Sequence, residues 1–454
     1  MPTRSGADPP AAVPFWTAFR FWLKLGLINF GGPTGQIAVM HQELVERRRW
    51  ISEDRFLHAL NYCMLLPGPE AQQLAVYVGW LLHRTPGGLI AGTLFVLPGA
   101  LLMLALSWVY VVHGDLLWIA AIFYGLRAAV IAIVLSAMLR IARKALKNRI
   151  MLALAALAFV AIFFLHLPFP LIVLGAGALG LFGSRSAPRA FLIAPAHGTV
   201  PPAAVIDDLA PPGEHTRPRL ARALGVVAIG GLLWWGPLAL VITWRGSHDV
   251  LAQIALFFSK AAMVTFGGAY AVLAYINEAA VHTYGWMSAP AMLDGLGLAE
   301  TTPGPLILVT EFVGFLGAYA RAHDLSPTLA GCLGAAITLW ATFAPCFLWI
   351  FLGAPFIEHL RGNVKLTAAL SCITAAVVGV IANLSVWFAL HALFARVTAE
   401  VVLGIAIPVP DLASLDWFAL LLAAFAFAAM QRLRLGIMPV ILICAGAGFA
   451  RRRG

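Results

Sequence analysis

Charged side chains are scarce in this chain. Asp, Glu, Lys and Arg together make up 11% of its 454 residues, whereas soluble domains carry about 25%. Hydrophobic residues make up 61%, and the mean hydropathy is +0.89. A soluble core cannot hide this much apolar surface. The composition therefore excludes a soluble globular protein and predicts an integral membrane protein.

Motifs of cofactor and metal chemistry are also missing. The five cysteines are isolated, with no CxxC pair and no Cys/His cluster, so neither a metal site nor a disulfide framework is expected. The sequence has no Ser/His/Asp set, nucleotide-binding loop or haem-ligand spacing. We therefore predict no enzyme activity and no cofactor. The first 14 residues lack the pattern of a signal peptide, which favours a cytoplasmic N-terminus.

The net charge of +10 does not indicate a nucleic-acid-binding protein. The basic residues lie in short loops between apolar stretches, as the positive-inside rule expects for a membrane protein. No basic patch with interleaved aromatic residues is present. The expected partners are the lipid bilayer and a small solute, with no nucleic acid. The sequence leaves a homodimer open.

The strongest positive feature is an internal duplication. Residues 21–69 share 14 ungapped identities in 49 positions with the segment 236 residues later, where chance gives about one in ten. Weaker matches continue at offsets of 247 and 269, which indicates insertions near 319–328 and 397–416. The chain therefore contains two copies of one unit.

This duplication predicts the domain organisation. The segments are an N-terminal tail (1–14), a first repeat (15–183), a polar, proline-rich cytoplasmic linker (184–220), a connecting span (221–249), a second repeat (250–450) and a tail (451–454). A span needs about 20 apolar residues, which gives about six spans per repeat and thirteen in all. Because a single span connects the two repeats of six spans, the second repeat lies inverted in the membrane relative to the first. The prediction is an all-α polytopic membrane protein built from two inverted repeats. If the Pro-Gly-Pro pieces described below re-enter rather than span, each repeat has five crossings and the repeats are parallel.

Loop charges test the inversion. Residues 140–149 are basic and are predicted to be cytoplasmic, whereas the matching loop 395–416 carries more acid than base and is predicted to be periplasmic. Arg451-Arg452-Arg453 does not fit, because the C-terminus would then be periplasmic. The charged stretch 41–55 is predicted to be an interfacial amphipathic helix.

Pro67-Gly68-Pro69 and Pro303-Gly304-Pro305 interrupt apolar stretches at matching positions of the two repeats. Proline suits the first turn of a helix and glycine permits a tight turn, so each motif predicts that one helix ends and another begins at membrane depth. Non-helical backbone is tolerated there only inside protein or beside a water-filled cavity. A structural kink is the alternative, but paired breaks favour a transport site.

Glycine pairs and lysines near these breaks are further candidates for substrate binding. Gly31-Gly32 and Gly267-Gly268 are predicted to break the first span of each repeat, or to allow close helix packing. Lys24 and Lys260 lie inside those first spans. Charges inside a membrane are usually functional, and the alternative is that these lysines snorkel to an interface.

The remaining candidates have no counterpart of the same type in the other repeat. Gln72 is predicted to supply a neutral hydrogen-bond donor to the substrate, and Arg127 a positive charge or a helix-end anchor. Glu70, Glu300 and Glu311 flank the proline breaks. They are candidates for proton coupling, and pairing with basic residues is the alternative.

At these motifs the chain resembles the chromate ion transporter family (ChrA type) in its long, two-domain form. The matching segments are 21–33, 46–52, 65–71 and 301–307, which contain Phe-Gly-Gly-Pro, Arg-Trp-Ile-Ser and both Pro-Gly-Pro motifs. The likeness covers nearly the whole chain. It implies export of chromate, or of a related tetrahedral oxyanion such as sulfate, across a bacterial inner membrane, driven by the proton gradient.

Two other classes of membrane protein remain as alternatives. An anion channel or a subunit of a membrane-embedded complex would also be a polytopic helical protein, and the broken helices argue against it only moderately. A membrane-embedded enzyme is disfavoured because the sequence lacks cofactor ligands.

Overall fold

The described residues form helices and one two-stranded sheet in the computed structural model. The structure describes residues 12–30, 32–64, 66–114, 116–165, 167–186, 204–206, 216, 218–266, 269–356, 364–402 and 405–451. The first half contains α1 (Phe15–Ile28), α2 (Gly32–His41), α3 (Glu53–Cys63), α4 (Glu70–His113), α5 (Leu117–Ala145), α6 (Arg149–Phe163) and α7 (Phe169–Ser186). The second half contains α8 (Leu220–Arg245), α9 (Val250–Val264), α10 (Ala269–Asn277), α11 (Ala289–Thr301), α12 (Val309–Tyr319), α13 (Pro327–Gly353), α14 (Val364–Leu393), β1 (Val397–Val402), β2 (Ile405–Pro410), α15 (Trp417–Gln431) and α16 (Ile437–Arg451).

Five helices in the described part of the chain are long and apolar enough to cross a bilayer, and they fall in α4, α5, α8, α13 and α14. Six shorter apolar helices of 10–17 residues accompany them. The prediction of a helical membrane protein is confirmed, whereas the count of thirteen spans stays a prediction.

The helices are interrupted where glycine and proline interrupt the sequence. α1 ends at Ile28 and α2 begins at Gly32, whose φ is +68°. α4 changes direction at His83 and Arg84, where the backbone leaves helical geometry. Pro86 follows at once and cannot donate a helical hydrogen bond. α4 is therefore two helical pieces.

The predicted interfacial helix over 41–55 is wrong. A π-helical turn at Gln42–Arg47 extends α2, and the chain then turns at Arg49, whose φ is +52°. The Ser52 side chain accepts a hydrogen bond from the Arg55 amide and so caps the start of α3. A left-handed residue followed by an N-cap ends one helix and starts the next.

The all-α prediction is incomplete, because the second-half insertion near 397–416 contains a hairpin. β1 pairs with β2 in antiparallel register, with Val397 opposite Pro410 and Val402 opposite Ile405. The strands are rich in Val, Ile and Thr, which favour extended backbone.

The predicted linker 184–220 is shorter than expected at its start, because α7 continues to Ser186. Most of the linker lies outside the described residues. Residues 204–206 lie against the turn between α2 and α3, where the Val205 amide donates to the Arg49 carbonyl and the Ile206 amide to the Trp50 carbonyl, each at 3.0 Å. Part of the linker is thus hydrogen bonded to the first half.

The two halves exchange their last helices. α15 and α16 of the second half pack against α5 of the first, and α6 and α7 of the first half pack against α14 of the second. These contacts are close: a Cβ at Gly448 would clash with the Ala121 carbonyl, and one at Gly180 with the Ala368 carbonyl. Ala121 and Ala368 are 247 residues apart, the offset of the duplication in this region.

The first arginine of the C-terminal trio is paired. The Arg451 guanidinium lies 2.9 Å from the Asp416 carboxylate at the start of α15, and stacks 4.8 Å from the centre of the Tyr124 ring. Because the charge of Arg451 is paired, this residue says little about which side of the membrane the C-terminus faces. Arg452 and Arg453 lie outside the described residues.

Candidate functional site

Each Pro-Gly-Pro motif forms a turn between two helices. Pro67-Gly68-Pro69 separates α3 from α4, and Pro303-Gly304-Pro305 separates α11 from a 3-10 turn at Leu306–Leu308 that leads into α12. The φ angles of Gly68 and Gly304 are +126° and +97°, which side chains other than glycine rarely adopt. The predicted breaks are therefore present in the structure.

Each turn is hydrogen bonded to the unwound end of the first helix of the other half. The Gly68 amide donates to the Thr265 carbonyl at 2.8 Å, and the Gly304 amide donates to the Asn29 carbonyl at 2.9 Å. Thr265 and Asn29 immediately follow α9 and α1, and both residue pairs are related by the 236-residue offset. The two breaks of one half thus contact those of the other.

A small buried cavity lies between the two turns. Its lining consists of Pro33, Gln36, Pro69, Glu70, Ala71, Ala269, Pro305, Leu306 and Ile307. Eight of these nine residues form four pairs that are 236 residues apart. The first residues of α4 and of the 306–308 turn face each other across the cavity. The open space is close to that of one water molecule, so this conformation is closed to a tetrahedral oxyanion.

Two of the lining residues have polar side chains, and neither is basic. Gln36 is 1% exposed, and its Nε2 donates to the Gly304 carbonyl at 2.5 Å. Glu70 is 8% exposed. Among the described atoms, the Gln36 Oε1 and the Glu70 Oε2 have no hydrogen-bond partner. Two residues of the lining thus carry buried polar atoms that are not committed to the fold.

The other two predicted acids lie outside the lining but are also buried. Glu300 is 3% exposed and accepts a 2.5 Å hydrogen bond from the Tyr270 hydroxyl. Tyr270 lies beside Gly32, near the cavity wall. Glu311 is 1% exposed, and its Oε2 has no partner within the described ranges. Of the three predicted acids, Glu70 is the one that lines the cavity.

Arg127 is not a free charge. Its guanidinium makes two hydrogen bonds of 2.6 and 2.7 Å to the carboxylate of Asp294 on α11, which also accepts from the Tyr110 hydroxyl at 2.9 Å. Asp294 is 1% exposed. This bidentate pair ties α5 to α11, so the geometry supports the helix-anchoring alternative for Arg127 rather than contact with substrate.

The remaining predicted residues are divided among three environments. Lys24 and Lys260 are exposed on α1 and α9 and do not line the cavity, so this arrangement does not support direct contact with the substrate. Gln72 is fully buried on α4 and does not line the cavity, and neither of its amide atoms has a partner in the described part of the chain. Gly31, Gly267 and Gly268 lie outside the described residues.

The sequence reasoning missed Gln36, Tyr270 and Asp294 as members or neighbours of the site. Gln36 follows the Gly32-Pro33 break by one helical turn, a spacing that could have indicated it. The Tyr270–Glu300 and Arg127–Asp294 pairs join segments 30 and 167 residues apart. No local pattern predicts such pairs.

Known proteins resemble this chain in sequence over both of its halves. The family model described as "Chromate transporter" matches the chain twice, over residues 16–181 and 252–449. The chain is 31% identical over 369 residues to the "Probable chromate transport protein" of Synechococcus elongatus, covering 80% of this chain and 82% of that protein. No solved structure gives a significant match.

Two further relatives are named chromate transport proteins. The one from Cupriavidus metallidurans is 30% identical over 362 residues, which cover 80% of this chain and 79% of that protein. The one from Pseudomonas aeruginosa is 31% identical over 453 residues, which cover 98% of this chain and 94% of that protein. Because the likeness spans both halves and the family model matches each of them, this chain belongs to the chromate transporter family.

Proposed function

We propose that this protein is a secondary active transporter that exports chromate, or a related tetrahedral oxyanion such as sulfate, across the bacterial inner membrane. The names of its relatives support chromate as the substrate. The observation that carries the proposal is the buried cavity between two matched Pro-Gly-Pro turns, with a helix start on each side.

The helix starts are the source of affinity for an anion. The first turn of a helix has unpaired N–H groups and about half a positive charge, and anions bind at such ends. The starts at Glu70 and Leu306 together double the donors that one end supplies. Because the cavity is closed to an oxyanion, the two turns must separate on one side and then on the other. This is alternating access around a central site.

We further propose that residues 15–183 and 250–450 are inverted repeats joined by the span α8. The reciprocal bonds from Gly68 to Thr265 and from Gly304 to Asn29 support a two-fold axis through the cavity. The exchange of the last two helices between the halves supports the same axis. An odd connecting span would place that axis in the plane of the membrane.

Glu70 is the proposed coupling group, with Glu300 and Glu311 as secondary candidates. A buried ionised carboxylate without a partner is expensive, and more so beside an anion. We propose that Glu70 carries a proton while the anion occupies the cavity and exchanges it when the site opens. This cycle would link anion movement to the proton gradient.

The test is the chromate content of energised cells. Cells that express the protein should hold less chromate than cells that express Gly304→Val at the same membrane level, and a protonophore should remove the difference. Equal chromate content in the two strains would rule out chromate export. The alternatives would then be an anion channel or a subunit of a membrane-embedded complex.

A further inference from the structure

Gln36 introduces an asymmetry between the two turns. The turn at Gly304 is hydrogen bonded twice to the segment 29–36, through its amide to the Asn29 carbonyl and through its carbonyl to the Gln36 Nε2. At the position that corresponds to Gln36, the second half has Val272, which is fully buried and cannot donate. The turn at Gly68 therefore lacks a second bond to the opposite half. Its Pro67 carbonyl accepts instead from the Gln73 Nε2 of the same half, at 2.8 Å.

The Gln36 amide is also placed to meet a substrate. Its NH2 group has two donor hydrogens, and the bond to Gly304 uses one of them. The nitrogen is identified by its partner, because a carbonyl oxygen can only accept. Gln36 lines the cavity, and its Oε1 has no partner among the residues that the structure describes. With Glu70, it is one of the two polar side chains in the lining.

We infer that Gln36 is a substrate-contacting residue that exchanges the Gly304 carbonyl for the bound oxyanion and thereby releases the Pro303-Gly304-Pro305 turn. This inference rests on the proposed function and deepens it by naming the side chain that senses the anion. Hydrogen bonds to a charged acceptor are roughly twice as strong as those to a neutral carbonyl. The free hydrogen of the NH2 group meets the anion first, and as the side chain turns toward the charge the anion replaces the Gly304 carbonyl as the acceptor.

The consequence is a side of the transporter that opens in response to substrate. Without an anion, the Gly304 turn is held by two bonds to the first half. With an anion, one bond to the first half remains, just as the Gly68 amide makes one bond to the second half. A ligand shifts a conformational equilibrium only through its differential contacts with the two states, and the Gln36 amide supplies such a difference.

Binding by purified protein tests the contact with substrate. Chromate should raise the thermal unfolding temperature of the native protein in detergent. In Gln36→Met, which keeps the length of the side chain but loses its hydrogen bonds, the chromate concentration for half the effect should rise about tenfold. The control Val272→Met alters the matching position outside the lining and should respond as the native protein does. An unchanged chromate dependence in Gln36→Met would overturn the inference.

Thiol reactivity tests the release of the turn without any anion present. Ile307→Cys lies directly after the Gly304 turn, and Ala71→Cys is its counterpart after the Gly68 turn. Adding Gln36→Met should speed maleimide labelling of the cysteine at 307 about tenfold and leave the cysteine at 71 unaffected. Equal labelling at 307 with and without Gln36 would contradict the role of the bond.

The two failures can be told apart. If the native protein transports chromate but Gln36→Met binds and labels normally, this inference falls and the proposed function stands. If the native protein neither transports nor binds chromate, both fall.

Discussion

The Gly304 amide donates a 2.9 Å hydrogen bond to the Asn29 carbonyl, across 275 residues of chain. Its counterpart in the other half is the 2.8 Å bond from Gly68 to Thr265. Helix breaks expose backbone groups, and each unpaired buried group costs about 1–3 kcal/mol. Here the unwound turn of one half satisfies the unwound helix end of the other. The paired breaks are therefore stable together, and each bond marks a contact that must change when the site opens.

The glycines of both turns should be essential for transport. Gly68→Val and Gly304→Val place a β-branched side chain at φ angles of +126° and +97°, which costs at least about 1–3 kcal/mol of strain. A Cβ at Gly68 would also press on the Cys346 sulfur. Chromate transport should fall more than tenfold while the protein still reaches the membrane. Gly231→Val, in open space on α8, is the control and should transport normally; normal transport by both turn variants would reduce the motif to a kink.

The inverted arrangement predicts which loops face outward. Single cysteines at Lys147→Cys and Thr398→Cys, both at exposed positions, are introduced with Cys332 replaced by Ser, since Cys332 is the native thiol that is not fully buried. An impermeant maleimide added to intact cells should label the cysteine at 398 and not the one at 147. External labelling at 147 would refute the inverted topology.

Removal of either member of the Arg127–Asp294 pair should destabilise the protein. Asp294 is 1% exposed and the Arg127 side chain is 32% exposed, so breaking the pair should cost about 3 kcal/mol, the lower end for buried pairs. Thermal unfolding in detergent should show Arg127→Leu to be less stable than the double variant with Asp294→Leu, because the single change leaves a buried charge. If Arg127→Leu keeps full stability but loses chromate binding, the residue is a substrate ligand after all.

The sequence predicts the helix breaks well because local chemistry determines them. Glycine and proline act on their own backbone, so Pro67-Gly68-Pro69 and its counterpart mark the turns wherever the surrounding helices pack. The duplication also predicts that the two turns are equivalent, because the two motifs are separated by the offset of the repeat. The structure shows that residues of both turns line one cavity.

The prediction of one helix over 41–55 fails because the backbone turns within the stretch. Its charge pattern is helical, but the left-handed Arg49 lies between the helical turn that ends at Arg47 and the helix whose start Ser52 caps. Long-range contacts decide which residues pair and which side of a helix faces a cavity. The partner of Arg127, Asp294, is 167 residues away, so the sequence alone leaves both a substrate-binding charge and a helix anchor open. The part of Lys24 and Lys260 in substrate binding stays a prediction.

Lys24 and Lys260 should act on the anion at a distance rather than by contact. Both are exposed, and the field of an exposed charge raises the local concentration of an anion but is screened by salt. Lys24→Ala should raise the KM for chromate a few-fold at low ionic strength in proteoliposomes, with kcat unchanged. The effect should vanish at high salt; a rise in KM that persists there would indicate direct binding.

In the proposed mechanism the anion passes between the two Pro-Gly-Pro turns. A reversible cross-link across the cavity tests this pathway most directly. Ala71→Cys and Ile307→Cys occupy matching positions in the lining. In proteoliposomes that contain the double variant, a short bis-methanethiosulfonate should stop chromate transport, and a reductant should restore it. Each single-cysteine variant, treated in the same way, gives the effect of a reagent attached on one side only. Full transport by protein in which the cross-link has formed would contradict a pathway through this cavity.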